Sequence, residues 1–319
     1  MLISKKERLK IENNLASINR YIKTIQGPGL NKISEITNNI YVSNVDNMQE
    51  MSLLKEYGIS SILYIGKLSL NKKILQNYTK RKIQYKYMGL SNISTNKFDI
   101  RSYLDESYEY IHKFVNDNKK ILLVCDNGIS MSIILLLYYL LKRYYTTNMN
   151  INKQKTLDLI YTDVYFLTDI LKFIKESRPC AEPDIDHIYQ LLLVEYVFKN
   201  ICYNKILVDA QNYIQKKSKK SKNNNDSDSD SDNDSEPDIN MDDENDKELY
   251  EERIIDEYLT DKFLPDNLSI PKTKSKKKVS FNFDKLSDLK DIADNNSNNN
   301  NLDNILHSSS DSDSDLNSE

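Results

Sequence analysis

The residues best suited to chemistry lie together in Ile121-Leu122-Leu123-Val124-Cys125-Asp126-Asn127-Gly128-Ile129-Ser130-Met131-Ser132, which runs directly into Ile133-Ile134-Leu135-Leu136-Leu137-Tyr138-Tyr139-Leu140. The first apolar run is too short for a helix. The pattern therefore predicts a buried strand ending at a cysteine, a turn holding one glycine, and then a buried helix. In such a turn, backbone N–H groups and the N-terminus of the following helix point at a common centre. That centre attracts anions and lowers the pKa of a thiol placed there. The chemistry on offer is a thiolate beside a phosphate-sized anion.

Elements on both sides must hold this turn. Ile11, Leu15, Ile18, Ile22 and Ile25 recur at helical spacing within residues 5 to 26, and Gly27-Pro28-Gly29 stops that helix. As an appendage, it either covers an apolar face of the domain or docks a partner. Short strands are predicted at Ile33 to Ile36 and Asn39 to Asn44, then a helix from about Asn47 to Tyr57 closed by Gly58, then a buried strand through Ile65. Lys82 to Met88 alternates as a further strand. Tyr103, Leu104, Tyr108, Ile111, Phe114 and Val115 form the apolar face of the helix that precedes the cysteine strand. After the cysteine helix, Thr146 to Asp163 is rich in Asn, Lys and Thr and reads as an insertion. An amphipathic helix follows from Val164 to Lys175, and a closing helix runs to about Gln215.

The cysteine turn resembles the Cys-x5-Arg loop of the protein tyrosine phosphatase superfamily, usually His-Cys-x-x-Gly-x-x-Arg-Ser, with Val124 in the histidine position and Met131 in the arginine position. Ile36 to Ile65 resembles the opening of dual-specificity phosphatases, Ile-x-x-x-Leu-Tyr-Leu-Gly followed by a helix ending in Leu-x-x-x-Gly-Ile-x-x-Ile-Leu-x-Val. Ser177 to Leu192 resembles their closing Arg-Pro-x-x-x-Pro-Asn-x-x-Phe-x-x-Gln-Leu segment. The resemblance covers about Gly29 to Asn200, and the chain is identified as a degenerate, pseudophosphatase-like member of that family. The implied fold is α/β, a central mostly parallel sheet flanked by helices, with an N-terminal helix and a disordered C-terminal tail. The expected organisation is an N-terminal amphipathic helix over 1–28, a phosphatase-like domain over 29–215 with the insertion at about 146–163, and an acidic, Ser- and Asn-rich tail over 216–319.

By that resemblance Cys125 is the nucleophile position, and Asp126, Asn127, Gly128, Ile129, Ser130 and Met131 form the phosphate loop. The Ser132 hydroxyl faces the sulfur, and Arg178 is structural. The aspartate that protonates the leaving oxygen would fall on Ser94 or Asn92. Asp99, the nearest carboxylate, reads instead as an N-cap of the helix beginning near Ile100. Met131 removes a planar five-donor fork that methionine cannot imitate. Loss of one transition-state donor typically costs ~10²–10³ in rate, and loss of a general acid ~10²–10⁴. Val124 removes a polar group that orients the loop in the family. Asp126 puts a negative charge where a dianion would sit, although some active relatives tolerate an acid there. The expected function is therefore that of a pseudophosphatase, a domain kept as a binding or regulatory module. The alternative is a weakly active protein-tyrosine or dual-specificity phosphatase that hydrolyses phosphoesters through a Cys125 phosphocysteine intermediate. Cys125 itself reads either as a small buried hydrophobe or as a residual thiolate that binds anions or is oxidised. Cys180 and Cys202 read as core residues.

Composition narrows the setting. The chain has 319 residues, 39% of them hydrophobic, and a net charge of −4 that conceals lysine clusters beside acidic serine blocks. No apolar run approaches the roughly 20 residues that cross a bilayer, and Met1 to Arg8 lacks the apolar core of a signal peptide. Three cysteines without paired spacing suggest a reducing compartment, no metal and no cofactor. The expected location is the cytoplasm, or the nucleus if a lysine cluster acts as an import signal. The Asn, Ile, Lys and Tyr bias, with 6 Gly and 0 Trp, suggests an AT-rich coding source such as a large virus or a protist.

Beyond the domain, Asn223 to Asp246 has almost no apolar residues to offset its ordering entropy. Lys247 to Phe263 is a short amphipathic island, expected to fold onto a partner or back onto the domain. The Ser-Asp repeats at Ser227 to Asp232 and Ser310 to Asp315 resemble acidophilic casein-kinase-two sites. Lys278-Val279-Ser280-Phe281 resembles the docking peptide of regulators of the type-one protein phosphatase, in which Val279 and Phe281 would fill pockets while the strand adds to a sheet edge. The partners expected are a phosphoprotein or other protein and, through this peptide, the type-one phosphatase. A membrane is not expected, and the lack of aromatic residues among the lysines disfavours nucleic acid. Alanine at both Val279 and Phe281 is expected to abolish capture of the type-one phosphatase catalytic subunit by the full chain in a pull-down. Undiminished capture would refute the docking assignment.

Overall fold

The computed structural model describes residues 3–24, 27–67, 69–89, 100–151, 165–223, 247, 249–251 and 253–255. Of these, the residues up to Phe198 form one unit and those from Lys199 a second. Ser94, Asn92, Asp99, Val279 and Phe281 lie outside the described residues, as does most of the stretch expected as an insertion.

In the first unit, helix α1 (Lys5–Thr24) buries Ile11, Ile18 and Ile22, the stripe their spacing dictates. Strands β1 (Ser34–Glu35), β2 (Ile40–Asn44), β3 (Ser61–Gly66), β4 (Gln84–Gly89) and β5 (Ile121–Cys125) make one sheet in the order β1-β2-β5-β3-β4. Only the β1–β2 pair is antiparallel, so the sheet is mostly parallel, as expected. Every residue of β2, β3 and β5 is buried, which is why these strands read as continuous apolar runs rather than alternating ones. Asn44 pairs with Cys125, and Tyr64 with Val124. The carboxyl ends of three neighbouring strands thus meet at the cysteine, where open α/β sheets form their ligand crevices.

The helices depart from the sequence reading in three places. The single helix expected from Asn47 to Tyr57 is two, α2 (Val45–Gln49) and α3 (Met51–Glu56). The Asn44 side chain accepts from the Asn47 N–H and starts α2, while Glu50, with φ −79° and ψ 94°, breaks the run. Gly58, at φ 68°, closes α3 as the pattern requires. A further helix, α4 (Lys72–Lys80), is capped by Asn71. After α5 (Arg101–Asn116), helix α6 (Met131–Ile151) runs past Thr146, where the insertion was expected to begin. Tyr145 is buried, and the Thr146 hydroxyl donates to the Lys142 and Arg143 carbonyls, so the sequence here still serves the helix. Ile100 precedes α5, and its N–H donates to Gln190 Oε1.

Helix α7 (Leu167–Ser177) is followed by α8 (Ile185–Asn223), which ends eight residues beyond Gln215. The lysines of that extension are good helix formers even without an apolar face. Within the second unit, Ala210 of α8 packs with Ile254 and Ile255, and Tyr203 donates to Glu251, so the described part of the amphipathic island folds onto α8. Cys202 is buried there, its thiol pushed up to about 12 by loss of solvent, which makes it inert.

Glu195, fully buried, closes the amino end of α7 from a distance. It accepts from the Tyr145 hydroxyl at 3.0 Å and from the Phe166 and Leu167 N–H groups at 2.5 and 3.1 Å. No side chain of the N-cap residue Phe166 does this work. Glu195→Ala removes the acceptor shared by the Phe166 and Leu167 N–H groups and the Tyr145 hydroxyl and is expected to lower stability by roughly 3 kcal/mol. The check is a shift of the urea midpoint to lower concentration, and an unchanged midpoint refutes it.

Candidate active site

Cys125 is the last residue of β5, and Met131 the first of α6, so residues 126–130 make the whole turn between them. Gly128 sits at φ 69°, a left-handed conformation that glycine adopts without strain. A Cβ there would lie 2.6 Å from the Ser43 carbonyl and 2.7 Å from Arg178 Nη2. Glycine is therefore needed twice, for its backbone angle and for the space beneath it.

Arg178 holds the turn from inside. Fully buried, it donates from Nε to the Gly128 carbonyl at 2.7 Å, and from Nη1 to the Lys32 carbonyl at 3.0 Å and the Ser34 hydroxyl at 3.1 Å. Burial pulls its pKa below the usual arginine value, opposed by the nearby Cys180 and Cys125 sulfurs. The far side of the turn is tied to the segment before α8. The Glu182 N–H donates to the Ile129 carbonyl at 2.8 Å, and the Asp184 N–H to the Ser130 hydroxyl at 3.1 Å. On the near side the Val45 N–H donates to the Asp126 carbonyl at 3.3 Å, and the Ser43 hydroxyl is hydrogen-bonded to Lys32 and Asn47. A turn clamped from three directions keeps its shape without help from residue 131.

Cys125 is 3% exposed, and its sulfur lies 3.2 Å from the Ser132 hydroxyl and 3.9 Å from Asn127 Oδ1. The structure thus brings together Cys125, the turn of residues 126–131, Ser132 and Arg178. Met131 occupies the start of α6 and is half-buried. The next cations along that helix, Lys142 and Arg143, are buried about three turns on, ~16 Å away by helical rise. Lys142 lies 3.3 Å from Asp105 and 4.2 Å over the Tyr108 ring. Cys180, expected in the core, is only half-buried because it sits in the tight turn after Arg178. A cavity of about 290 Å³ opens beside Ser130, walled by Asn19 and Lys23 of α1 and by Asp184. The N-terminal helix therefore shapes the surroundings of the turn as well as covering apolar surface.

Sequence reading did not find Tyr64, Glu182 or Asp184 as neighbours of the turn. Tyr64 donates its hydroxyl to Asp126 Oδ1 at 2.5 Å across 62 positions of sequence. The signal available was Gly66, a glycine ending an apolar strand, which often marks close approach of another group.

Gly128→Ala forces a strained backbone angle and a clash with both Ser43 and Arg178. It is expected to cost at least ~1–3 kcal/mol and to lower the melting temperature of the full chain. An unchanged melting temperature refutes the stated geometry.

Comparison with known proteins agrees with this architecture. The family model for the dual specificity phosphatase catalytic domain matches residues 40–157. Among solved structures, the chain is similar to the human tyrosine phosphatase-like serine/threonine/tyrosine-interacting protein, at 15% identity, covering 53% of this chain and 98% of that one with a TM-score of 0.40. It is also similar to the Yvh1 phosphatase domain from Chaetomium thermophilum, at 19% identity, covering 53% and 97% with a TM-score of 0.41. A third is OH1 from the Orf virus, a tyrosine phosphatase with triple substrate specificity, at 13% identity, covering 59% and 96% with a TM-score of 0.42. The segment that carries Cys125 is thus similar to the dual specificity phosphatase catalytic domain over residues 40–157.

Proposed function

We propose that this chain is a pseudophosphatase, which uses a dual-specificity phosphatase domain to bind a phosphorylated or otherwise acidic protein partner rather than to turn it over. The observation that carries this reading is Met131 at the first residue of α6, directly after a turn whose clamps are all present. A transferring phosphoryl group spreads negative charge over its equatorial oxygens, and catalysis consists largely of positioning and neutralising that charge. Backbone N–H groups and a helix terminus still offer donors, whereas the bidentate cation is gone. Binding of a ground-state anion needs less than stabilising its transition state, so the first survives a loss that cripples the second. The missing acid at Ser94 or Asn92 belongs to the same reading.

The retained sulfur and hydroxyl at 3.2 Å favour a second reading, a weakly active phosphatase with Cys125 as nucleophile. In it, Ser132 stabilises the departing thiolate when water cleaves the phosphocysteine. Docking of the type-one phosphatase through Val279 and Phe281 would be a separate function of the chain. Among the described residues no helix is long and apolar enough to cross a membrane, which fits a protein partner in an aqueous compartment.

The two readings part in one assay. The full chain is given a generic aryl phosphate alongside its Cys125→Ser and Met131→Arg variants. The binding reading expects no turnover above the Cys125→Ser background and at least a ~10²-fold gain with Met131→Arg. Cysteine-dependent turnover by the unmodified chain overturns it in favour of the enzyme.

A further inference from the structure

Asp126 sets a negative charge one residue after Cys125, where it opposes any anion drawn to the turn. The structure holds that carboxylate to one side. Tyr64, fully buried in β3, donates its phenolic hydroxyl to Asp126 Oδ1 at 2.5 Å. A Cβ on Gly66, at the end of the same strand, would lie 2.4 Å from both Asp126 Oδ1 and Tyr64 Oη, so the hydrogen bond fills the space a side chain would take. Tyr87 of β4 stacks on Tyr64 with ring centroids 5.5 Å apart and donates its own hydroxyl to the Gly66 carbonyl at 3.1 Å. The bond from this buried phenol to the solvent-exposed Asp126 carboxylate, roofed by a second ring, is charge-assisted.

We propose that Tyr64 is a positioning residue for the anion cradle. Acting through Asp126, it fixes the carboxylate at the end of β3 and keeps its charge away from a phosphate-shaped dianion bound over Cys125. The proposal rests on the reading that the cradle is a binding site. Without the phenol, the carboxylate is free to swing about its Cα–Cβ bond beside the cradle. A unit charge brought a few ångströms closer to a dianion costs roughly tenfold or more in affinity at intermediate dielectric. Asp126 opposes the anion weakly while Tyr64 holds it and strongly once it is released. The strand-end glycine is required by the same contact.

The test is a double-mutant cycle on the full chain, with tungstate affinity measured by calorimetry. Tyr64→Phe is expected to weaken binding about tenfold. Asp126→Asn is expected to strengthen it, and the Tyr64→Phe/Asp126→Asn double variant to bind like Asp126→Asn alone. Equal weakening by Tyr64→Phe in both backgrounds would mean that Tyr64 acts through packing and would overturn the proposal. An unchanged affinity in Tyr64→Phe would overturn it as well. If the unmodified chain takes no tungstate while Met131→Arg does, the binding reading of the cradle fails, and the cycle repeated in the Met131→Arg background decides the role of Tyr64 by the same criteria. No tungstate binding in either background overturns both.

Discussion

The structure turns on one buried guanidinium. Arg178 joins the turn after the cysteine strand, through Gly128, to the segment around Lys32 and Ser34 at the start of the sheet. Taking a cation out of water is expensive, and it is tolerated when hydrogen bonds satisfy the charge. Here carbonyl oxygens and a hydroxyl satisfy Nε and Nη1, while Nη2, buried beneath Gly128, has no hydrogen-bond partner among the described residues. A carbonyl set spreads the interaction over several stretches of backbone, so removing the arginine would release all of them together. Gly128 gives way to it sterically, the turn before α8 continues from it, and β2 borders it.

This division of labour explains how a turn can keep its form while its chemistry changes. The groups that shape it belong to Arg178, Ser43, Glu182, Asp184 and Val45. Position 131, where the resemblance places the phosphate-neutralising group, contributes to none of those contacts. Form and charge are therefore set by separate residues.

Much of this was legible in the order of residues. The run from Ile121 to Cys125, followed by Gly128 and a second apolar run, could only be strand, turn and helix, and the positions of Ile62 to Ile65 and Ile11 to Ile22 had equally plain periods. The breaks were harder to read. Glu50 interrupts a helix because of a backbone angle, which no apolar pattern records. Helix α6 continues past Thr146, whose hydroxyl turns back on the Lys142 and Arg143 carbonyls, although Thr and Asn on average leave a helix. The bond from Tyr64 to Asp126 and those from Arg178 join positions 50 to 149 residues apart, so composition and spacing could not place them. Arg178 was marked by resemblance as structural, but most of its partners are backbone carbonyls, and backbone atoms carry no letter.

The independence of the turn from residue 131 has a genetic consequence. Methionine and arginine codons differ by a single base, ATG against AGG, and neither the strand, the glycine nor the buried arginine needs adjustment to receive the change. At position 131 a single transversion therefore separates a thioether from a guanidinium, while the clamps of the turn lie on other residues.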